Sequence, residues 1–222
     1  MYSSIKRVVD IIAALIALVI LSPVFLLIMI ILLFTGEHEI FYRQKRVGYQ
    51  NKPFYIWKFA TMLKNSSKMG TGEITVRNDP RVTAFGKFLR ISKINELPQL
   101  INILEGNMSL VGPRPLMKVS FELYSDEVKN NIYKSKPGIT GIGSLIFRDE
   151  EKILSDAKDP RLMYAVIYPY KGELELWYLK NASFLVDMKI IFLTAYTILV
   201  PQNHLAGKIF KDLPVKDFEF AP

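Results

Sequence analysis

The longest hydrophobic pattern in the chain lies near its N-terminus. From Ile11 to Phe34 every position is apolar except Ser22 and Pro23. An apolar run of about 24 residues is long enough to cross a bilayer as one helix. Pro23 lies near the middle, where it leaves the Val19 carbonyl without its helical partner, so we expect a kink there. The Ser22 hydroxyl can help to satisfy the freed backbone group.

Two membrane topologies fit this run. Each half holds about 12 residues, roughly 18 Å of helix, which is too short to cross a bilayer alone. Lys6 and Arg7 precede the run. A second basic group follows it, formed by Arg43, Lys45 and Arg46. Because both ends are basic, charge selects no orientation. The pattern is compatible with a re-entrant helix that returns to the face it entered and with a kinked single-pass span.

Shorter patterns follow the apolar run. Strand-forming residues at 40–42 and 54–59 flank a turn-rich segment at 48–53, which predicts a β-hairpin. A short helix is predicted from Pro98 to about Gly106, since proline suits a helix start and glycine suits its end. Its apolar face is expected to contain Leu97, Leu100, Ile101 and Leu104.

The C-terminal half predicts further helices. Residues 160–180 read as a helix with a break near Pro169, and its tyrosines suit either the headgroup level of a membrane or ordinary core packing. The apolar stretch 183–200 contains Asp187 and Lys189, which argue against a buried span and favour a helix at the membrane surface or packed on the domain. We therefore predict a mainly helical α+β fold with a membrane helix kinked at Ser22-Pro23, a small hairpin and amphipathic interfacial helices.

Charge adds a preference for anionic partners. The chain has 222 residues and a formal net charge of +8. Between residues 41 and 93 there are twelve basic residues and only two acidic ones, Glu73 and Asp79. Such a block suits lipid headgroups, nucleotide diphosphates or nucleic acid, although a solvated basic face has the same composition. No recognition-helix or stacking-aromatic motif is present, so we expect no nucleic-acid partner.

Other chemistries are excluded by composition. The chain contains no cysteine, which rules out disulfides and thiolate catalysis. Its two histidines, His38 and His204, are far apart in sequence and have no neighbouring ligand pattern. A histidine-based metal site is therefore not expected.

The most chemically suggestive stretch surrounds the short helix. Asn95 and Glu96 precede Pro98, at the helix end where anions are favoured. Arg114 lies between Pro113 and Pro115, so the backbone holds it extended. A rigid guanidinium near a carboxylate and a helix N-terminus suits a polyphosphate–metal site. An ordinary helix followed by a stiff loop has the same spacing.

Several segments of the chain resemble the bacterial sugar transferases, the monotopic polyprenyl-phosphate phosphoglycosyl transferases. The resemblance rests on residues 79–90, 95–100, 106–115 and 137–141. This family is anchored by a re-entrant helix broken at a Ser-Pro pair, which favours the re-entrant topology here. The resemblance implies an anchor at 1–36 that includes Lys6, Arg7, Ser22 and Pro23, and a catalytic domain at 37–222. It also implies a location at the cytoplasmic face of the bacterial inner membrane.

The resemblance also implies an activity. Members transfer a sugar-1-phosphate from a UDP-sugar to polyprenyl (undecaprenyl) phosphate with Mg²⁺, which releases UMP and begins a surface polysaccharide or glycoconjugate. Carried over to this chain, Glu96 binds Mg²⁺, while Lys58, Arg90 and Arg114 contact the diphosphate. Arg148 is the candidate to replace the arginine of an Asn-Gly-Arg element that this chain lacks. The expected partners are the UDP-sugar, undecaprenyl phosphate and the phospholipid membrane; the sugar and a homodimer stay open.

One departure falls on the expected catalytic pair. The family has a nucleophilic aspartate where this chain has Asn95, whose amide is neutral and whose nitrogen lone pair is delocalised. Four explanations follow: direct attack by the acceptor phosphate, attack by another acid such as Asp79 or Glu96, an inactivated variant, or binding without catalysis. Ala60 and Asn107 also depart from the family pattern, which favours a natural divergent branch.

Overall fold

Ten α-helices and four short strands form the part of the chain that the computed structural model describes, residues 2–66, 69, 75, 78–200 and 205–215. The helices are α1 (Tyr2–Phe34), α2 (Ala84–Ile91), α3 (Gln99–Leu104), α4 (Lys118–Phe121), α5 (Asp126–Asn131), α6 (Ile142–Ile146), α7 (Glu150–Asp156), α8 (Pro160–Asn181), α9 (Phe184–Leu199) and α10 (Leu205–Ile209). The strands are β1 (Phe41–Val47), β2 (Pro53–Phe59), β3 (Ser109–Val111) and β4 (Gly138–Thr140). The predicted mainly helical α+β class is confirmed. Glu73 and His204 lie outside the described residues.

The apolar run forms one long helix. α1 contains 33 residues and continues through Pro23. The Ser22 hydroxyl donates to the Val19 carbonyl at 2.8 Å, which satisfies the group that proline releases, as predicted. By length and composition α1 is able to cross a membrane. Many of its apolar side chains are exposed, with Val19 at 74%. These properties indicate that α1 associates with a membrane.

The first turns of α1 are fastened to the rest of the protein by polar contacts. Tyr2 donates to the Asp187 carboxylate of α9 at 2.6 Å, and Lys6 forms an ion pair with the same group. Tyr178 of α8 donates to its other oxygen at 2.8 Å. Asp187 is buried, so α9 packs on the domain through this face. α9 also exposes Phe184, Leu185 and Phe192.

A second set of contacts joins α1 to α3 and β3. The Arg7 guanidinium donates to the carbonyl oxygens of Ile103 at 2.6 Å and Leu104 at 3.3 Å, which closes the C-terminal end of α3. The buried Asp10 carboxylate accepts from the Ser109 hydroxyl at 2.7 Å. The two cations of the predicted anchor, Lys6 and Arg7, therefore both bind groups within the protein.

The predicted hairpin is present and packs against α1. β1 and β2 are antiparallel, with Phe41 opposite Phe59 and Val47 opposite Pro53. Phe59 is buried and contacts Phe25 of α1 edge-to-face, with ring centroids 5.2 Å apart. The hairpin thus has one face on α1, and its β2 strand ends close to the cleft described below.

α3 forms where predicted but buries a different face. Gly106 has a φ of +86°, the left-handed conformation expected after a helix end. Leu100 and Ile103 are buried, whereas Ile101 is only partly buried. The difference arises because Asn102 is buried against β2, where its amide donates to the main chain at 2.8 Å and accepts from it at 2.9 Å. Because Asn102 hydrogen-bonds to β2, α3 is rotated so that its most apolar face does not point fully into the core.

The parallel pair β3–β4 was not predicted. Ser109 lies opposite Gly138, and Val111 lies opposite Thr140. Beyond β3, the Gly138 N–H donates to the Pro113 carbonyl at 2.9 Å. A Cβ at Gly138 would lie 2.1 Å from a backbone nitrogen of the facing segment, so only glycine fits there. This close approach holds the segment that contains Arg114.

α8 is a continuous helix that is buried mainly between Ile167 and Tyr178. It extends from Pro160 to Asn181 with Pro169 inside, so the predicted break is wrong. Asp159 caps it by accepting from two main-chain N–H groups. Three of the tyrosines considered for the headgroup level, Tyr168, Tyr170 and Tyr178, are buried in the core instead, together with Trp177.

We predict that Asp187→Ala destabilises the protein by about 3 kcal/mol, because it leaves the Lys6 ammonium and two tyrosine hydroxyls without their acceptor. Thermal unfolding of the detergent-solubilised protein measures the effect. Lys189→Ala, on the exposed side of the same helix, is the matched control and should change stability by less than about 0.5 kcal/mol. Equal midpoints for the two variants would contradict the prediction.

Candidate active site

A large cleft, with a volume of ≈ 2140 Å³, brings the predicted site residues together. Its walls come from α1, the hairpin, the Arg114 segment and the helices from α6 to α9. All six residues predicted to take part in catalysis or phosphate binding line it: Lys58, Arg90, Asn95, Glu96, Arg114 and Arg148.

Three separate elements deliver the central groups of this cleft. Lys58 comes from the end of β2. Glu96 belongs to a 3-10 turn, Ile94–Glu96, which the chain enters through Lys93 at a φ of 60°. Arg114 lies in the rigid segment after β3, where its carbonyl accepts from the Tyr133 hydroxyl at 2.8 Å. The site therefore depends on the tertiary fold and not on one local motif.

Glu96 is the electrostatic centre of the cleft. One of its carboxylate oxygens accepts from both Lys58 Nζ and Arg114 Nη2, each at 3.0 Å. Burial alone would raise the pKa of Glu96, but the charges of Arg114, Lys58 and nearby Lys93 outweigh it and hold that pKa well below the ordinary range. Glu96 is therefore ionised at neutral pH.

The two cations respond differently to the same carboxylate. Burial lowers the pKa of Lys58 to about 8, against the opposing effect of Glu96. The nearby charges of Arg46 and Arg114 act in the same direction as burial. The pKa of Arg114 is raised, chiefly by Glu96. Positive charge thus exceeds negative charge at this end of the cleft, which suits an anionic ligand.

Asn95 lies beside Glu96 but is hidden from solvent. Its side chain is 5% exposed, and its amide oxygen is buried with no hydrogen-bond partner among the described residues. A buried unpaired carbonyl is costly. Such a group is expected where a ligand or ion supplies the missing partner.

The two outer arginines have different surroundings. Arg90 of α2 forms an ion pair with Glu151 of α7, so it is held near the rim of the cleft. Arg148 precedes α7 and is partly exposed. Both line the cleft, as the phosphate-binding prediction requires.

Asp79 has a structural role within the fold. Both of its oxygens accept from the Arg81 guanidinium, at distances from 2.6 to 3.1 Å, and the pair is buried. The hydrogen bonds from Arg81 hold the pKa of Asp79 below its ordinary value. Asp79 does not line the cleft. It is therefore a poor candidate for the alternative attacking acid that the resemblance left open.

Sequence analysis missed a polar stripe on α8. Lys171, Glu175 and Tyr178 are spaced on one helical face and are all buried. Lys171 pairs with Glu150 at 2.9 Å. One Glu175 oxygen lies 3.5 Å from the Arg114 backbone N–H, which donates to it. The available signal was a pair of opposite charges four residues apart, Lys171 and Glu175, within a stretch rich in aromatic and aliphatic residues.

The donor groups of the cleft fit Mg²⁺ only in company with a ligand. No group of three or more His, Cys, Asp or Glu side chains within the described ranges could hold a metal ion by itself. Mg²⁺ commonly takes one or two protein oxygens and completes its shell with phosphate and water. The Glu96 carboxylate and the unpartnered Asn95 amide oxygen are such donors, so the residues fit Mg²⁺ that arrives with a phosphate-bearing ligand.

Comparison with known sequences decides the family. The pattern described as "Bacterial sugar transferase" matches residues 1–201. The chain belongs to this family. A relative from Aeromonas hydrophila, named UDP-N-acetylgalactosamine-undecaprenyl-phosphate N-acetylgalactosaminephosphotransferase, is 36% identical over 200 residues, which cover 89% of this chain and 44% of the relative.

Two further relatives differ in length. The exopolysaccharide production protein ExoY of Sinorhizobium fredii is 34% identical over 85% of this chain and 83% of its own length. The UDP-glucose:undecaprenyl-phosphate glucose-1-phosphate transferase of Klebsiella pneumoniae is 35% identical over 86% of this chain and 39% of its own length. The chain thus spans less than half of two of these relatives and most of the third.

We predict that Glu96→Gln lowers the free energy of unfolding by about 2 kcal/mol at neutral pH, because it leaves the Lys58 and Arg114 cations without their counter-charge. The loss is limited because the Arg114 side chain is one-third exposed and water screens part of its charge. Chemical denaturation measures the change. Because the pKa of Glu96 is depressed in the folded state, its contribution is present at neutral pH and is lost as pH falls through that depressed value, so the difference should shrink in acid. Glu151→Gln, at a more exposed pair, is the control; an equal loss there would contradict the prediction.

Proposed function

We propose that the protein transfers a sugar-1-phosphate from a UDP-sugar to undecaprenyl phosphate and so begins a surface polysaccharide or glycoconjugate. The observation that carries the proposal is the carboxylate of Glu96 shared by Lys58 and Arg114 in a cleft that continues along α1 and α9. Relatives whose names specify UDP-glucose or UDP-N-acetylgalactosamine with undecaprenyl phosphate support the substrate classes. The sugar of this chain stays open.

The charged end of the cleft suits the donor diphosphate. Arg114 presents a planar guanidinium that can bind two phosphate oxygens, and Lys58 adds a compact charge. Phosphoryl transfer depends mainly on such positioning and charge neutralisation. Glu96 would hold Mg²⁺ with the Asn95 amide oxygen beside it, and the ion would neutralise charge on the diphosphate. Arg90 and Arg148, further along the lining, suit the remaining phosphate or the sugar.

The apolar part of the cleft suits the acceptor. Ala13 and Ala17 of α1 face Met188 and Ile191 of α9 along its walls. A polyprenyl chain is apolar and would lose little by leaving lipid for such a wall. Its phosphate would then lie toward Lys58 and Arg114, while its tail remained near the membrane.

The contacts of α1 support a re-entrant anchor. Asp10 and Ala14 pack on the domain near one end of the helix, and Ile28 and Leu32 pack on it near the other. A spanning helix would place a hydrocarbon layer about 30 Å thick between its two ends. Contacts to one domain near both ends instead favour both ends on the same side. We therefore place residues 1–36 in the cytoplasmic leaflet of the bacterial inner membrane, with 37–222 as the catalytic domain on its cytoplasmic face.

Asn95 points to a transfer in one step. The acceptor phosphate oxygen attacks the sugar-bearing phosphorus, a new P–O bond forms to the polyprenyl phosphate, and the bond to UMP breaks as UMP leaves with its electron pair. Three carboxylates of the cleft lining are engaged in ion pairs: Glu96 with Lys58 and Arg114, Glu150 with Lys171, and Glu151 with Arg90. Glu175 also lines the cleft, but it is buried and accepts from the Arg114 backbone N–H. Direct attack therefore fits better than a replacement nucleophile.

A second function has one observation in its favour. Asn95 replaces the group that the family resemblance assigns to attack, so the chain could bind a UDP-sugar or pathway partners without turning it over. In that case the cleft would keep its affinity for the nucleotide diphosphate because Lys58 and Arg114 are unchanged. Binding and turnover measured on the same preparation separate the two functions.

We predict that the detergent-solubilised protein releases UMP when supplied with Mg²⁺, undecaprenyl phosphate and the right member of a UDP-sugar panel. Release should require the acceptor, because no enzyme-bound sugar phosphate is formed first. Arg114→Ala should lower the rate by at least about tenfold through loss of diphosphate positioning. An absence of UMP across a broad panel, with UDP still bound, would favour the binding-only function.

We further predict that Asn95→Asp permits a covalent phosphosugar adduct, because it supplies the carboxylate that the family pattern has at this position. Intact-mass spectrometry after incubation with UDP-sugar and Mg²⁺, without acceptor, detects it. The unmodified protein is the matched control and should show no added mass. An adduct on the unmodified protein would mean that another acid attacks.

A further inference from the structure

Glu175 is a buried carboxyl group that the proposed chemistry leaves unused. It is 2% exposed and contributes to the lining of the cleft from α8. Its Oε1 atom accepts from the Arg114 backbone N–H at 3.5 Å. Its Oε2 atom is buried without a hydrogen-bond partner among the described residues. The backbone of Arg114 is therefore hydrogen-bonded to a carboxyl group whose second oxygen has no partner.

Both oxygens of the carboxyl group lie close to the start of α6. A Cβ added at Gly143 would lie 2.5 Å from Glu175 Oε1, and one at Gly141 would lie 3.9 Å from Oε2. The glycine at 143 thus provides the space that Glu175 occupies. Since the group is 2% exposed and packed closely against this segment, it responds to a change of nearby charge by gaining or losing a proton rather than by turning toward water.

The surrounding charges favour a balance between the two protonation states. The titratable groups that face Glu175 are Arg114, Lys171, Tyr124, Tyr133 and Tyr178, with Glu150 beyond Lys171. Burial raises the pKa of Glu175 to about 7, against the opposing effects of the Arg114 backbone N–H and of the Lys171 and Arg114 charges. Burial also raises the pKa of each of the three tyrosines, so they remain neutral in this range.

We propose that Glu175 is a positioning residue that takes up a proton when a nucleoside diphosphate binds at Arg114 and Lys58. The inference rests on the proposed function, because it assumes that the anion bound by Arg114 is the diphosphate of the donor. An incoming anion disfavours a second negative charge behind Arg114 and so favours neutral Glu175. Linkage requires the reverse as well: protonated Glu175 favours binding of the anion.

Protonation of Glu175 gives diphosphate binding a pH dependence of definite sign. Below neutrality Glu175 is already protonated in the free protein and does not oppose the anion. As pH rises through about 7, the free protein becomes ionised at this position and each binding event must take up a proton. The affinity of the unmodified protein for the diphosphate therefore falls with rising pH. Glu175→Gln stays neutral at this position, so its affinity lacks this pH dependence.

The test compares UDP binding by the unmodified protein and by Glu175→Gln, using calorimetry with Mg²⁺ between about pH 6 and about pH 8. Titration of UDP itself and of Lys58 is common to both proteins and cancels in the ratio of their Kd values. We expect a ratio near one at the acid end, with the unmodified protein binding about fivefold more weakly than the variant at the alkaline end. Glu173→Gln, an exposed position on the same helix, is the control and should follow the unmodified protein.

A second measurement applies to the unmodified protein alone, in case the variant does not fold. Infrared difference spectra on addition of UDP near neutral pH should show a gain in the C=O band of a protonated carboxyl group. If the band does not grow, the inference is overturned. A Kd ratio that is constant with pH also overturns it, because a purely structural role of Glu175 would change the Kd values equally at every pH. If UDP binds but the ratio is constant, the proposed function stands without this residue; if the unmodified protein binds no UDP at any pH, both fail.

Discussion

The carboxylate of Glu96 holds the cleft together. It is a single negative charge that joins the end of β2, the turn before α3 and the rigid segment after β3, through Lys58 and Arg114. Without it, two cations delivered by separate parts of the fold would face each other across a poorly solvated space. The arrangement is also suited to a change of partner. A diphosphate with its metal ion brings both signs of charge, so it can replace the internal pairing without leaving any charge unopposed.

The same logic extends to the attachment of α1. The Asp187 carboxylate binds Tyr2, Lys6 and Tyr178. The Asp10 carboxylate accepts a hydrogen bond from β3, the strand that precedes Arg114. These contacts connect α1 to the strand that precedes the Arg114 segment. In the proposed reaction a lipid-embedded acceptor and a soluble donor would meet in the cleft, and these contacts would fix the position of the membrane helix relative to that cleft.

Sequence patterns predicted the elements whose signal is local. The long apolar run, the hairpin around its turn and the helix after Pro98 all formed, and the Ser22 hydroxyl met the carbonyl that Pro23 releases. The residues grouped in the cleft were also found from sequence, since the family resemblance marks most of them. Patterns failed where a tertiary contact decided the outcome. α3 turned so that Asn102 could bind β2, and Pro169 was absorbed within a helix that is buried along much of its length.

Some features had almost no local signal. β3 and β4 are three residues each, too short for a periodic pattern, and their pairing depends on glycine at 138. Glu175 looks like an ordinary helical charge until the fold closes around it. Its burial and its distance to the Arg114 backbone arise from elements far apart in sequence, so no spacing rule could reveal them.

The buried pair of Asp79 and Arg81 has a consequence for how the family can diversify. Arg81 also donates to the carbonyl oxygens of Ser66 and Met69, each at 2.9 Å, and Leu63 bonds to its main chain. These hydrogen bonds close the stem of the segment between residues 63 and 81. Because the entropy of closing a loop grows only slowly with length, residues can be inserted or removed there at small thermodynamic cost. This stem is thus a place where the rim of the cleft can acquire new sequence while its charged centre stays unchanged.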